Sequence, residues 1–414
     1  MTCMVPTQVS LGKSSHKNPK GRIRDAHQQV KVTLLIAFIF GILAVITTFI
    51  NNDTGRWLPL HLFFTGTLLL AISGATQLFS VAWSAAQPPS QILVNTQRTF
   101  VIVGALGLGA SRSLNWPSAF VASFGTILTL SIVVLMYLLH RIHKRAIQRR
   151  FRGVYFSYLI ALSCGLLGTV FGSALVTGQV TSEYVGLRDA HLIVNLFGLV
   201  GLVISATLPS FIATQVRMKM SRLATPKMHL TITSAMMLGL LTCVIGTGLT
   251  RRNISIAGMA IYIGGIIAYI FMLPKISIKQ IKWAGPRLFM ILTGVFWWLA
   301  ACVSFIVESA SNNIIAGSYI VPMLVVGGYA QIFLGSIAYF GPIMTARNHE
   351  MRTTNLHITR AWPTYFAWNT IALCVVLKLP NFILWTAGVI TAIDVLTRFA
   401  FMLRTTKVQH AIDQ

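Results

Sequence analysis

Runs of about twenty apolar residues recur along almost the whole chain, and that pattern leaves few folds open. A helix needs ~20 such residues to cross a bilayer's hydrocarbon core. The sequence supplies twelve runs: 32–50, 58–82, 95–111, 117–140, 153–178, 187–213, 229–249, 254–274, 286–307, 316–344, 361–378 and 381–403. The third is the weakest, being short and rich in Gly104, Gly107 and Gly109. Of 414 residues, 55% are hydrophobic and only 10% charged, and mean hydropathy is +0.72. Soluble chains carry ~25% charge, and with so little this one could not cover its own surface. A cytosolic enzyme, a disordered tail, a coiled coil and a collagen are excluded. The sequence predicts an all-α integral membrane protein of about twelve spans. A basic tail covers 1–31, one membrane domain 32–403 and a second tail 404–414. No short apolar core lies near Met1, so the first run reads as an uncleaved span.

Charge then predicts sidedness. There are 33 Lys and Arg against 8 Asp and Glu, a balance of +25. In a soluble protein that excess would suggest nucleic acid. Here the positive-inside rule accounts for it, and no nucleic-acid partner is expected. With the N-terminus in the cytoplasm, 27 of the 33 basic residues fall on that side. Only Arg56, Arg112, Arg188, Arg251, Arg252 and Lys378 fall outside. That split implies an even number of spans and both termini in the cytoplasm of an inner or plasma membrane. The basic stretch 140–152 could also contact anionic lipid, although topology alone would produce it. Trp57, Trp116, Trp283 and Trp362 lie at span ends, as interfacial aromatics do. Five scattered cysteines show no metal spacing and read as small buried hydrophobes.

A weak internal repeat is visible. His61-Leu62, Ser73 and Phe79 in the second span echo His191-Leu192, Ser205 and Phe211 in the sixth. The tenth carries Ser336, Tyr339 and Phe340. The period is near 131 residues, so four helices would form a unit and three units the protein. Repeat-built architectures are common in membranes.

Few residues in the spans suit chemistry. His61 and His191 each lie near the outer end of a span. An imidazole at that depth bonds a carbonyl at the interface, ligates a haem or metal, or relays protons. Asn195, one turn after His191, is a candidate orienting group or a packing amide. Gln77, Gln331 and Asn369 are further amides inside spans. Asp394 and Arg398 share a face at i,i+4 spacing and read as an ion pair or a proton-coupling site. Gly168 and Gly172 form a small-xxx-small spacing that permits close packing. No nucleotide-binding loop, nucleophile elbow or zinc-protease motif is present.

Three stretches carry a resemblance: AHLIVNLFGLVG over 190–201, GYAQIFLGSIAYFGP over 328–342, and His61-Leu62-Phe63. With these the chain resembles actinobacterial twelve-span membrane proteins. Those occur alone or as the membrane part of copper-containing nitrite reductases. They in turn resemble the NnrS family of haem- and copper-containing membrane proteins and, distantly, haem–copper oxidase subunit I. The resemblance implies three arcs of four helices, with ligands on the second, sixth, seventh and tenth. His61 and His191 match the second and sixth. The tenth has no histidine where the oxidase pattern has two, and the only histidine of the seventh, His229, lies at its inner end. No tyrosine follows His191 by a turn. An oxygen-reducing centre is therefore not expected.

The expectation is an oxidase-like scaffold binding haem or copper, linked to respiratory, nitrogen-oxide or copper handling and to a redox or copper partner. His61 and His191 are the expected ligands, in separate pockets; Asn195, Gln331, Asp394 and Arg398 would support them or relay protons. A secondary transporter and a cofactor-free structural or assembly subunit are the alternatives. Reporter fusions after residues 145, 220 and 350 should read cytoplasmic, and those after 53, 183 and 311 external; one reversed pair would overturn the topology.

Overall fold

The computed structural model describes residues 19–50, 54–178, 184–311, 319–346 and 348–412. All regular structure among them is helical. Twelve principal helices follow in order: α1 Pro19–Thr47, α2 Trp57–Ser84, α3 Gln91–Ser113, α4 Ser118–Lys144, α5 Arg149–Thr177, α6 Tyr184–Gln215, α7 Pro226–Gly248, α8 Arg252–Phe271, α9 Pro286–Ala310, α10 Ile320–Thr345, α11 Trp362–Leu377 and α12 Asn381–Ile412. Eleven contain a segment long and apolar enough to cross a membrane. The exception is α11, whose 16 residues reach ~24 Å at ~1.5 Å per residue, short of a ~30 Å core. Two short helices, Ile278–Ala284 and His349–Ile358, precede α9 and α11.

Helix α1 begins well before the apolar run that predicts it. Around Gln29 and Thr33 it is held by neighbouring segments. Gln29 donates its amide to Pro89 O at 3.0 Å. Arg98 of α3, buried, donates to Thr33 Oγ1 at 3.0 Å and to Gln29 O at 3.0 Å. A residue that topology would leave solvated thus ties α3 to α1. The cysteines Cys164, Cys243, Cys302 and Cys374 are buried and free, as expected of small hydrophobes; Cys3 lies outside the described residues.

Consecutive helices are neighbours, and α4 lies against α5, α8 against α9 and α10 against α1. Phe49 at the end of α1 stacks on Trp385 at the start of α12, with ring centroids 5.0 Å apart. The least exposed span is α6, and α12 is the most exposed. Lipid tails are as apolar as leucine, so only close packing rewards helix contact here.

The internal repeat has a structural signature. Helices α2, α6 and α10 each change from α to π geometry, over Leu62–Leu68, Val194–Gly201 and Met323–Tyr329. Their first residues are 132 and 129 positions apart. A glycine sits four residues into each segment: Gly66, Gly198 and Gly327. A methyl group there would collide with Phe40 of α1, Cys164 of α5 and Trp297 of α9, the helix before each one. Seventeen residues after each segment begins comes a phenylalanine: Phe79, Phe211 and Phe340. These three meet. Their centroids lie 5.9 Å (Phe79–Phe211), 5.6 Å (Phe79–Phe340) and 5.2 Å (Phe211–Phe340) apart. Ser336, by contrast, falls two residues out of this register.

Phe211→Ala should open a hole at the junction. Such truncations cost ~3–5 kcal/mol in water-soluble cores. In lipid the water-transfer part is absent, so about 2–3 kcal/mol is expected. Phe382→Ala, at a residue 70% exposed on α12, should stay within ~0.5 kcal/mol. Equilibrium unfolding in mixed micelles reads both.

Candidate functional site

The two span histidines come together. His61 closes the first turns of α2 immediately before its π segment, and His191 lies three residues before that of α6. Their ring centroids are 6.5 Å apart and the ring planes 15° from parallel. The expectation of two separate pockets is corrected. Sequence spacing suggested equivalent positions on different units, but the π register shifts them. His61 aligns with Ile193, and His191 with Pro59. The rings are therefore not related by the repeat.

Both rings are held through the same nitrogen. His61 Nδ1 lies 2.8 Å from Trp57 O. His191 Nδ1 lies 2.8 Å from Gly168 O. A carbonyl only accepts, so each Nδ1 carries the proton and each Nε2 keeps its lone pair. Asn195 Nδ2 is 3.3 Å from His191 Nδ1, but two donors cannot bond each other. The amide instead donates to His191 O at 2.8 Å. Asn195 thus braces the backbone of the residue expected to need support.

Packing fixes the planes. The Trp57 ring stacks on His61, with centroids 3.9 Å apart. On the other side, a Cβ at Gly172 would stand 2.9 Å from His191 Cε1, closer than real Cβ contacts come. A Cβ at Gly168 would overlap the Asn195 amide. The Gly168–Gly172 pair on α5 is therefore more than a packing motif. It is the floor on which the imidazole and its amide sit.

The donor set is narrow. Among the described residues, no group of three His, Cys, Asp or Glu side chains converges to hold a metal. Both rings are half-buried. The site offers two neutral nitrogens and no carboxylate or thiolate. Zinc takes three or four protein ligands, and calcium and magnesium take oxygens, so neither fits this set.

The other predicted residues lie elsewhere. Gln331 accepts from Thr293 Oγ1 at 2.9 Å and donates to Asn369 Oδ1 at 3.0 Å. Trp297 Nε1 also donates to Asn369, at 3.4 Å. That network joins α9, α10 and α11, and no hydrogen bond links it to either histidine. Asp394 and Arg398 form an ion pair at 2.9 Å. Asp394 also accepts from Thr364 Oγ1 at 2.5 Å, and Arg398 donates to Ile358 O. The pair thus holds α12 against the start of α11, through Thr364, and against the end of the short helix before it, through Ile358.

No protein-family model matches the sequence, and no curated protein matches it either.

Asp394→Asn should lower stability by about 1 kcal/mol, because the pair is partly solvated. It should leave any metal stoichiometry unchanged. Unfolding midpoints and metal analysis of the purified variant check the two halves separately.

Proposed function

We propose that the protein is a twelve-span protein of the cell membrane, with both termini in the cytoplasm, that holds one copper(I) ion or haem iron between His61 and His191 near the outer face. The observation that carries this is the pair of imidazoles, 6.5 Å apart, with both Nδ1 atoms bonded to carbonyls. A second-sphere carbonyl on Nδ1 is the usual partner of a ligating histidine, because it sets the tautomer and aims Nε2. His61 and His191 would hold the metal through Nε2, the ring nitrogen that the carbonyl bonds leave free. Two protein ligands suffice for a soft monovalent ion, or for haem iron, whose other ligands come from the porphyrin. The short π segments beside both histidines fit this reading, since π geometry gathers at functional sites.

The scaffold belongs to the same reading. Three units of four helices surround a pseudo-threefold axis, with α2, α6 and α10 innermost. The common register of three π segments, three glycines and three touching phenylalanines supports it. So do the contacts of α4 with α5 and α8 with α9, and the stacking of Trp385 of α12 on Phe49 just past α1. This is the arrangement that resemblance to NnrS-type proteins and oxidase subunit I implies. The position on α10 equivalent to His61 is Pro322, and that equivalent to His191 is Ile320. An oxygen-reducing pair of metals is not part of the proposal. A role in copper, nitrogen-oxide or respiratory electron handling, with a redox or copper protein as partner, follows.

Purified protein should carry up to one copper or one haem per chain. Elemental analysis and a visible spectrum distinguish them, because only haem gives a Soret band. His61→Ala and His191→Ala should each lower the occupancy at least tenfold. Gly172→Val, which removes no ligating group, should do the same by displacing the His191 ring. Unchanged occupancy in both histidine variants would overturn the proposal.

A further inference from the structure

Basic residues at the end of the bundle opposite the histidines are explained by topology when they face water. Three of them do not simply face water. Arg287, in the first turn of α9, is 1% exposed. It donates through Nε to Ala284 O at 3.1 Å and through Nη2 to Trp283 O at 3.4 Å. Arg360, ahead of α11, donates through Nη2 to the same Trp283 O at 2.8 Å. Arg217, just past α6, lies over the Trp283 ring with its Cζ 3.6 Å from the centroid. The Arg360 Cζ is 5.6 Å from that centroid. Three guanidinium groups from three separate stretches of sequence thus gather at one tryptophan.

Their charge is not balanced. The ion pairs among the described residues are Arg188–Asp189 and Arg398–Asp394, and neither involves these arginines. Three buried donors have no hydrogen-bond partner: Arg287 Nη1, Arg360 Nε and Trp283 Nε1. A buried charged donor without a partner is costly, and a cluster of them at one place requires an explanation. Arg287 also lies at a helix N-terminus, where free N–H groups and the helix dipole favour an anion.

The end of α6 positions Arg217. Arg217 has φ +57°. It stands where glycine usually closes a helix, with Met218 N bonded to Ala213 O at 2.8 Å behind it. Ala85, Asn115, Thr250 and Lys378 adopt the same conformation at other helix ends, so it marks the close of α6. A glycine there would close α6 more easily but would remove the guanidinium from Trp283. His357 reports the same field from the neighbouring short helix. Its ring lies 5.9 Å from Trp283, and its pKa is held below the ordinary histidine value by burial and then by Arg360, Arg287 and Arg217.

We propose that Arg217, Arg287, Arg360 and the Trp283 indole form a binding site for a phosphate-type anion, either the headgroup of an anionic phospholipid or a free phosphate group. Burial grades across the site. Arg217 is exposed, Arg360 half-buried and Arg287 buried, so an anion would enter past Arg217 and reach the unpartnered Nη1 of Arg287. Guanidinium forks match phosphate oxygens in pairs, which lysine cannot do. The site is independent of the histidine pair and stands at the other end of the bundle.

The test uses full-length protein purified in mild detergent from its membranes. Tightly bound phospholipid is counted by phosphorus analysis and lipid mass spectrometry. Delipidated protein is then titrated with inorganic phosphate at constant ionic strength, following the thermal midpoint. The variants are Arg217→Gln with Arg360→Gln, neither of which is fully buried, and Arg287→Lys, which keeps the charge but loses the fork. Arg251→Gln with Arg252→Gln, at the opposite end, is the control. Phospholipid retained by the parent and the control, but reduced at least tenfold in both site variants, identifies a lipid headgroup. No retained lipid, with a midpoint raised by phosphate in the parent and control only, identifies a free phosphate. Lipid content and phosphate response that are indistinguishable between parent and site variants would overturn the site. An equal loss in the Arg251/Arg252 control would also overturn it, because the effect would then be general charge.

Discussion

Lipid offers no water to a backbone carbonyl, so each departure from α geometry inside a span needs a donor from the protein itself. The π segments of α2, α6 and α10 are such departures, and neighbouring helices supply donors to those of α6 and α10. Tyr329 Oη donates to Leu196 O at 2.7 Å, and Tyr262 Oη to Phe197 O at 2.6 Å. Trp368 Nε1 donates to Val326 O at 2.9 Å. Each bond runs from a different helix into a π segment. The irregular stretches therefore pin α8, α10 and α11 to the centre. Only the glycine in each segment lets the preceding helix close over it. Replacing a π segment with regular helix would rotate everything beyond it, including the phenylalanine seventeen residues from its start.

That geometry also sets what the histidines can be. Placed before the π segments, they face each other across α2 and α6 with the Nδ1 protons already spent on carbonyls. Protonating Nε2 on both rings would place two like charges in a half-buried pair with no carboxylate beside them. Neutral rings with free Nε2 lone pairs are the favoured state, and neutral imidazole is the form that binds a metal. Trp57 stacked on His61, and Gly172 close against His191 Cε1, restrict ring rotation, which lowers the ordering cost of coordination.

The all-helical, multi-span architecture was legible in the sequence, because span length is a one-dimensional property. The weak third run is a full helix. Leu128 and Phe124 of α4 fill the space beside its glycines, and hydropathy alone cannot register that. The 131-residue period was visible but blurred. The structural spacings are 132 and 129, and Ser336 matched by chance. The meeting of His61 and His191 was not legible, since apolar periodicity does not say which spans are neighbours. Nor was the gathering of Arg217, Arg287 and Arg360. The positive-inside rule already accounts for every basic residue at that end, so nothing marked these three. The signals available in hindsight were arginine in the closing position of α6 and tryptophan beside a Gly-Pro-Arg start to α9.

The packed centre bears on the transporter alternative. A secondary transporter needs a substrate site near the midplane, reached alternately from both sides, and discontinuous helices with polar or charged groups to line it. Here α2, α6 and α10 are interrupted, which fits, but the place where they converge is filled by Phe79, Phe211 and Phe340. All three are buried and in mutual contact. Trp83 extends this plug by stacking on Phe79 at 4.3 Å, and Tyr339 packs on Phe211 at 5.9 Å. Opening a path along this line would separate several aromatic contacts, each worth roughly 0.5–1.5 kcal/mol beyond simple burial. The charged pair on α12 does not line such a path, because Asp394 and Arg398 bond one another and the ends of two helices. The aromatic junction instead separates the histidine end from the arginine end. A group bound at one is shielded from the other, and the two sites can differ in ligand, polarity and access within a single bundle.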